Sequence, residues 1–174
     1  MGEILYNAVT NDRMEFIQTA ESSNGKITEF YLTLAPKASW AKNPRHFHSH
    51  QTETFKVLSG ELNLTAGDHH YILKPGDEKI VVNKFTLHSF WNATDEEVVF
   101  QAEIYPPRNI EKGLRMMYAL ASQGKVNTSN IPKNPFHILI MMDYIDSYFA
   151  YVPWKLQRFL LKIGSKLARS LGYS

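Results

Sequence analysis

From about Gly25 to Tyr105, apolar and polar residues alternate in short runs cut by turn residues, a pattern that predicts half-buried β-strands of a sandwich or barrel. In Glu29-Phe30-Tyr31-Leu32-Thr33-Leu34, the side chains of Phe30, Leu32 and Leu34 share one face. The run Glu61 to Ala66 meets Gly67-Asp68 and returns as Tyr71-Ile72-Leu73, which predicts a hairpin, because Gly and Asp tolerate positive φ. Pro75-Gly76-Asp77 turns the chain again. Ile80 to Val82, Leu87 to Trp91 and Val98 to Ile104 supply further strands, with Asn92 to Asp95 as the turn between the last two. Pro106-Pro107 ends the β region, since proline cannot donate to a ladder.

Beyond that point the period lengthens. Ile110, Leu114, Met117 and Ala121 recur at helical spacing behind Asn109 as a cap, with Gly124 as a stop. Asn134-Pro135 predicts a second helix running through Tyr148, and Pro153 opens a third. On the third helix Leu156, Leu160, Ile163, Leu167 and Leu171 form one stripe, and five basic residues fall on another. A stripe of that spacing is expected to pack on its own domain or on a partner subunit. The predicted plan is a β-barrel domain over residues 1–107 and a helical C-terminal extension over 108–174, packed on the barrel or on a dimer partner.

Composition narrows the function classes. With 174 residues and 44% hydrophobic content the chain can bury one ordinary core. Its formal net charge of +2 gives no broad positive field, so nucleic acid is not an expected partner. That balance hides an asymmetry: no acidic residue follows Asp146, while Lys155, Arg158, Lys162, Lys166 and Arg169 crowd the tail. Membrane association is disfavoured overall, with this basic helix as the candidate lipid contact. Neither a leader-like start nor an uninterrupted apolar span is read, so a cytoplasmic location is the default expectation. The absence of cysteine removes disulfides, thiolate metal sites and cysteine nucleophiles together.

Candidate chemistry sits in Arg45-His46-Phe47-His48-Ser49-His50-Gln51-Thr52-Glu53-Thr54-Phe55. Alternate residues of a strand share a face, so His46 and His48 can aim at one space. Glu53 has the opposite parity and needs a turn or bulge at Ser49 to Thr52 to join them, after which Glu53, Phe55 and Val57 line the interior together. His88 lies on a later strand with Phe90 on its face. The bland alternative leaves these histidines facing water, but burying so many polar groups unpaired would be costly. Neutral imidazoles and a carboxylate suit a divalent transition metal such as iron, manganese, nickel, zinc or copper.

Across roughly Gly25 to Tyr105 the chain resembles the cupin superfamily. The first cupin motif, HxHx(4)Ex(6)G, is met by His46, His48, Glu53 and Gly60 without a gap. The second, Gx(5)PxGx(2)Hx(3)N, is met in part: His88 and Asn92 keep their spacing, Asn83 and Phe85 stand in place of its proline and glycine, and Gly76 lies one residue too far upstream. The resemblance implies a mainly β fold, a double-stranded β-helix or jelly-roll barrel with a C-terminal α-helical extension. It also implies that His46, His48, Glu53 and His88 are metal ligands, and that the protein is a homodimer.

Three imidazoles and a carboxylate leave two positions of an octahedral ion open for a substrate oxygen and dioxygen or water. The leading expectation is therefore a metal-dependent, dioxygenase-like enzyme acting on a small organic molecule, with Glu53 both ligand and base and His50, Phe55, Val57 and Phe90 as pocket residues. A solvated His50 is equally compatible with the sequence. A metal-dependent isomerase and a non-catalytic small-molecule-binding module are the alternatives. His69 and His70 are expected in the hairpin turn, where exposure is the ordinary state.

Overall fold

A computed structural model describes residues 2–38 and 45–173. Among the described residues, eleven strands form two antiparallel sheets. The six-stranded sheet runs β1 (Ile4–Tyr6), β2 (Arg13–Gln18), β3 (Thr28–Leu34), β10 (Val98–Tyr105), β5 (Thr52–Ser59), β8 (Ile80–Val82). The five-stranded sheet runs β11 (Ser147–Phe149), β4 (His46–His48), β9 (His88–Trp91), β6 (Leu62–Ala66), β7 (His69–Leu73). The protein is a double-stranded β-helix with a C-terminal helical extension. The alternation read from the sequence is the alternation of burial: Phe30, Leu32 and Leu34 of β3 lie on the same inner face as Phe100, Ala102 and Ile104 of β10 and Phe55 and Val57 of β5, in one core.

Two further strands lie before the region in which alternation is read. β1 and β2 precede Gly25 and extend the larger sheet beside β3, burying Met14 and Phe16. Gly67-Asp68 makes the two-residue turn between β6 and β7, with Ala66 opposite His69.

Among the described residues, three helices follow β10, with β11 between the second and the third. α1 (Ile110–Ser122) lays Ile110, Leu114, Met117 and Tyr118 into the barrel core itself. α2 (Pro135–Ile145) begins as its sequence predicts, with the Asn134 side chain accepting from the Phe136 N–H at 2.9 Å and Pro135 at the first position. It ends three residues short of the predicted Tyr148. Asp146 adopts a left-handed conformation (φ 57°, ψ 37°), and residues 147–149 leave the helix to become β11, the edge strand paired with β4. α3 (Trp154–Ser170) packs Leu161, Ser165 and Ala168 inward, whereas its predicted stripe, Leu156 to Leu171, does not pack on the chain.

Candidate metal centre

His46 and His48 come from β4 and His88 from β9, adjacent strands of the smaller sheet in which His46 lies opposite His88. Glu53 comes from β5 in the other sheet, opposite Val82 and Ile104. The chain therefore crosses between sheets at residues 49–51, which resolves the parity conflict between the histidines and Glu53. Gln51 anchors the crossing: it is buried, and its Nε2 donates to the Pro107 carbonyl at 3.0 Å. Gly60, which closes the first motif, has φ 79°, and a Cβ there would sit 2.6 Å from the Glu97 carbonyl oxygen. No other residue fits that turn without a backbone shift.

The second motif is held differently. Asn92 is buried and satisfied by the 35–38 and 94–96 turns, donating to the Ala35 and Glu96 carbonyls and accepting from Thr94. Phe85, standing where the motif has glycine, keeps a positive φ of 65°. Its N–H donates to the His48 carbonyl at 2.8 Å, and its ring packs on Phe47 and Trp154. These contacts offset the cost, about 1 kcal/mol or somewhat more, of a bulky residue in the left-handed region.

The donor atoms of the four side chains meet. Ring nitrogens of His46, His48 and His88 lie within 4.8 Å of one another. Glu53 joins them, its Oε1 3.3 Å from His48 Nε2 and its Oε2 2.9 Å from His88 Nε2. The hydrogen bonds on the far sides of the rings decide the protonation pattern. His48 Nδ1 is 3.1 Å from the Ile145 carbonyl and His88 Nδ1 is 2.9 Å from the Thr86 carbonyl. A carbonyl only accepts, so each Nδ1 carries a hydrogen and each neutral ring presents a lone pair at Nε2. Both Nε2 atoms are buried and lack a hydrogen-bond donor, and both face carboxylate oxygens. Acceptors face acceptors here, and a shared cation, proton or metal, removes the conflict.

Bond lengths of about 2.1 Å to a divalent ion would draw such nitrogens to within roughly 4 Å of each other, so the residues fit a metal after a small inward rotation. The contact between carboxylate and imidazoles also shifts the titration of both groups. Burial works against charge on Glu53, but His48 and His88 hold its carboxyl well below the usual carboxylate range. Burial likewise works against a charged His48, yet Glu53, with smaller help from Asp146 and the Ile145 carbonyl, holds its pKa above the ordinary 6.5.

An apolar cavity of about 370 Å³, partly open to solvent, is lined by His46, His48 and Glu53. Phe55 and Phe90 line it, as do Met141 and Ile145 of α2 and Phe149 of β11. Val57 is buried in the core beside it but is not a lining residue. His50 turns away, and its Nδ1 lies 2.7 Å from Ser49 Oγ and 3.1 Å from Asp146 Oδ2. Asp146 also accepts from the backbone N–H groups of Ser49 and His50 and from the Tyr148 hydroxyl. The tail thus braces the histidine strand twice, through Ile145 on His48 and through Asp146 on the crossing. Neither residue was singled out in the sequence, because they lie almost a hundred positions from their partners and carry no motif. His69 and His70 are exposed as expected, but they belong to strand β7 and not to the turn, which Gly67-Asp68 makes alone; His70 bonds Asn63 and stacks on Trp91.

Residues 30–105 match the family model of the cupin domain. An oxidoreductase of Arthrobotrys oligospora is 36% identical over 106 residues, covering 54% of this chain and 42% of the relative. The oxidoreductase OpS7 of Beauveria bassiana is 38% identical over 79 residues, covering 43% of this chain and 26% of the relative. The chain thus spans less than half the length of these curated relatives. Among solved structures, a predicted oxalate decarboxylase from Thermotoga maritima superposes with a TM-score of 0.51 at 21% identity, over 61% of this chain and 92% of that one, a likeness of fold. Motif, barrel and family match agree over residues 30–105, which form a cupin domain.

Proposed function

We propose that the protein is a metal-dependent, dioxygenase-like oxidoreductase acting on a small apolar organic molecule. The observation that carries this reading is the meeting of three imidazoles and a carboxylate beside an apolar cavity lined by His46, His48 and Glu53. His46, His48, Glu53 and His88 would hold the ion, iron, manganese, nickel, zinc or copper, through nitrogen and oxygen donors without thiolate. When bound, such an ion supplies Lewis acidity and, if redox-active, a path for electrons to dioxygen.

The chain's own residues bind and orient the substrate. Phe55, Phe90 and Phe100 supply a ring-lined wall, and Ile138, Met141, Met142 and Ile145 of α2 add further apolar surface. Among the described residues, no lysine or arginine lines the cavity. A carboxylate or phosphate on the substrate would find no fixed counter-charge there, whereas a phenol or diketone would bury its ring and present one oxygen to the centre. Glu53 is ionised at neutral pH, as a ligand and a proton acceptor both require. The name oxidoreductase carried by both fungal relatives agrees with this chemistry.

Elemental analysis of protein purified without added metal is expected to find about one transition-metal ion per chain, and far less in His48→Ala and Glu53→Ala. Iron-loaded protein in an oxygen electrode is expected to consume dioxygen with members of a phenol and diketone panel. Metal without turnover of any candidate would replace the enzyme by a binding module. Wild-type protein without metal, or variants that keep it, would overturn the metal reading itself.

A further inference from the structure

α3 presents an apolar face to solvent. Leu156, Leu160, Ile163, Leu167 and Leu171 are between 48% and 58% exposed and Phe159 is 59% exposed. The segment leading into the helix extends this surface, with Tyr151 83% and Val152 41% exposed. The opposite face is occupied by the protein: Leu161, Ser165 and Ala168 are buried, and Gly164 lies against Leu139 of α2. The basic residues form a band between these faces. Arg169 is committed to Asp143 at 3.1 Å and Arg158 stacks over Trp154. Lys155, Lys162 and Lys166 have no acidic partner among the described residues, and all three are exposed. From residue 147 to the last residue, 174, the sequence contains no aspartate or glutamate.

We propose that this face of α3 docks on an anionic lipid surface, the helix lying in the plane of the interface. The leucines, Ile163 and Phe159 would enter the boundary between headgroups and acyl chains, and the lysines beside them would extend along that boundary to reach phosphate and carboxylate headgroups. Charge selects this occupant. A second copy of the chain would bring the same cationic band and no anion on α3, whereas an anionic bilayer offers both the apolar layer and the counter-charge. Insertion across a bilayer is not involved, as no helix among the described residues is long and apolar enough to span one.

The test is flotation of the full-length protein with vesicles of phosphatidylcholine alone and of phosphatidylcholine with about a third phosphatidylserine, a phosphatidylserine content chosen to approach that of an anionic leaflet. The protein is expected to float with the anionic vesicles alone and to be released by raised salt. Each lysine near the surface contributes roughly fivefold, so Lys155→Gln, Lys162→Gln and Lys166→Gln together should weaken partitioning on the order of a hundredfold. Phe159→Ser with Leu167→Ser should abolish flotation while leaving the circular dichroism melting curve in place. Equal partitioning on both vesicle types, or none on either, would overturn the proposal. So would a serine variant that converts a dimer to a monomer by light scattering without any loss of lipid binding, since the face would then be a contact between copies.

Discussion

α1 and α3 carry apolar stripes of the same helical period, and the fold treats them in opposite ways. On α1 the predicted residues Ile110, Leu114, Met117 and Ala121 are 3% to 9% exposed and complete the barrel core and the cluster beside it. On α3 the predicted stripe faces out, and the buried positions are Leu161, Ser165 and Ala168. The difference lies in what each helix approaches. α1 spans an open apolar end of the barrel and needs bulk to fill it. α3 arrives after that volume is filled and approaches α2 closely, where small residues are required: a Cβ on Gly164 would lie 2.8 Å from a Leu139 methyl carbon. Ser165 and Arg169 then fix the helix through Asp143, at 2.7 and 3.1 Å. Periodicity marks a face, and the available volume decides whether that face turns in.

The largest expected effect is on the α1 side of the comparison. Leu114→Ala removes buried methyl groups from the barrel core and should lower the unfolding free energy by about 2 to 5 kcal/mol in urea titrations. A loss below about 1 kcal/mol would mean that α1 covers the barrel without completing it. Next is the inner face of α3. Ala168 is fully buried among Met116, Leu120 and Ile140, so Ala168→Leu should overpack this contact and cost about 1 to 3 kcal/mol. A leucine accommodated there without loss would show that α3 has room to roll its stripe inward.

How much of this was legible follows from the same physics. Strands β3, β5 and β10 were readable because one buried face imposes alternation, and β6 to β9 because turn residues bound their short apolar runs. β1 and β2 were passed over, although Arg13-Met14-Glu15-Phe16 alternates as well as β3 does. β11 was not readable: its three residues look like a continuation of α2, and what removes them from the helix is Asp146 bonding to Ser49 and His50. The donor set at the candidate site was legible as residue types, but Glu53 reaches the histidines by changing sheets, which no local pattern records. The glycine missing at Phe85 turned out to be a matter of side chain and not of backbone, since the left-handed conformation survives.

A smaller effect separates the helices electrostatically. Glu111, in the first turn of α1, accepts from the Ala20 N–H at 2.5 Å, the Thr28 hydroxyl at 2.6 Å and Arg115 at 3.1 Å, tying the helix to the segment between β2 and β3. Burial pushes its pKa up, but Thr28, Ala20 and Arg115 together bring it below the ordinary 4.5. A carboxyl depressed on folding stabilises the native state above its unfolded value and loses that contribution as pH falls through the folded one. Glu111→Gln should therefore cost about 1 kcal/mol at pH 7, allowing for partial solvent screening. The gap between variant and wild type should close as pH falls from 4.5 through the lower, folded value. A constant gap across that range would assign the effect to lost packing.

The smallest effect is the most discriminating. Leu160 is 53% exposed at the middle of the α3 stripe, so Leu160→Gln keeps helix propensity and removes little buried area. Its unfolding free energy in dilute protein should stay within about 0.5 kcal/mol of wild type, against the several kcal/mol expected for Leu114. Two leucines at like positions of two amphipathic helices would then differ in energetic weight because one fills a cavity and the other meets water. If Leu160→Gln instead destabilised the protein in proportion to protein concentration, the outer face would be buried between copies in solution. The contrast between the helices would then be one of intramolecular against intermolecular packing.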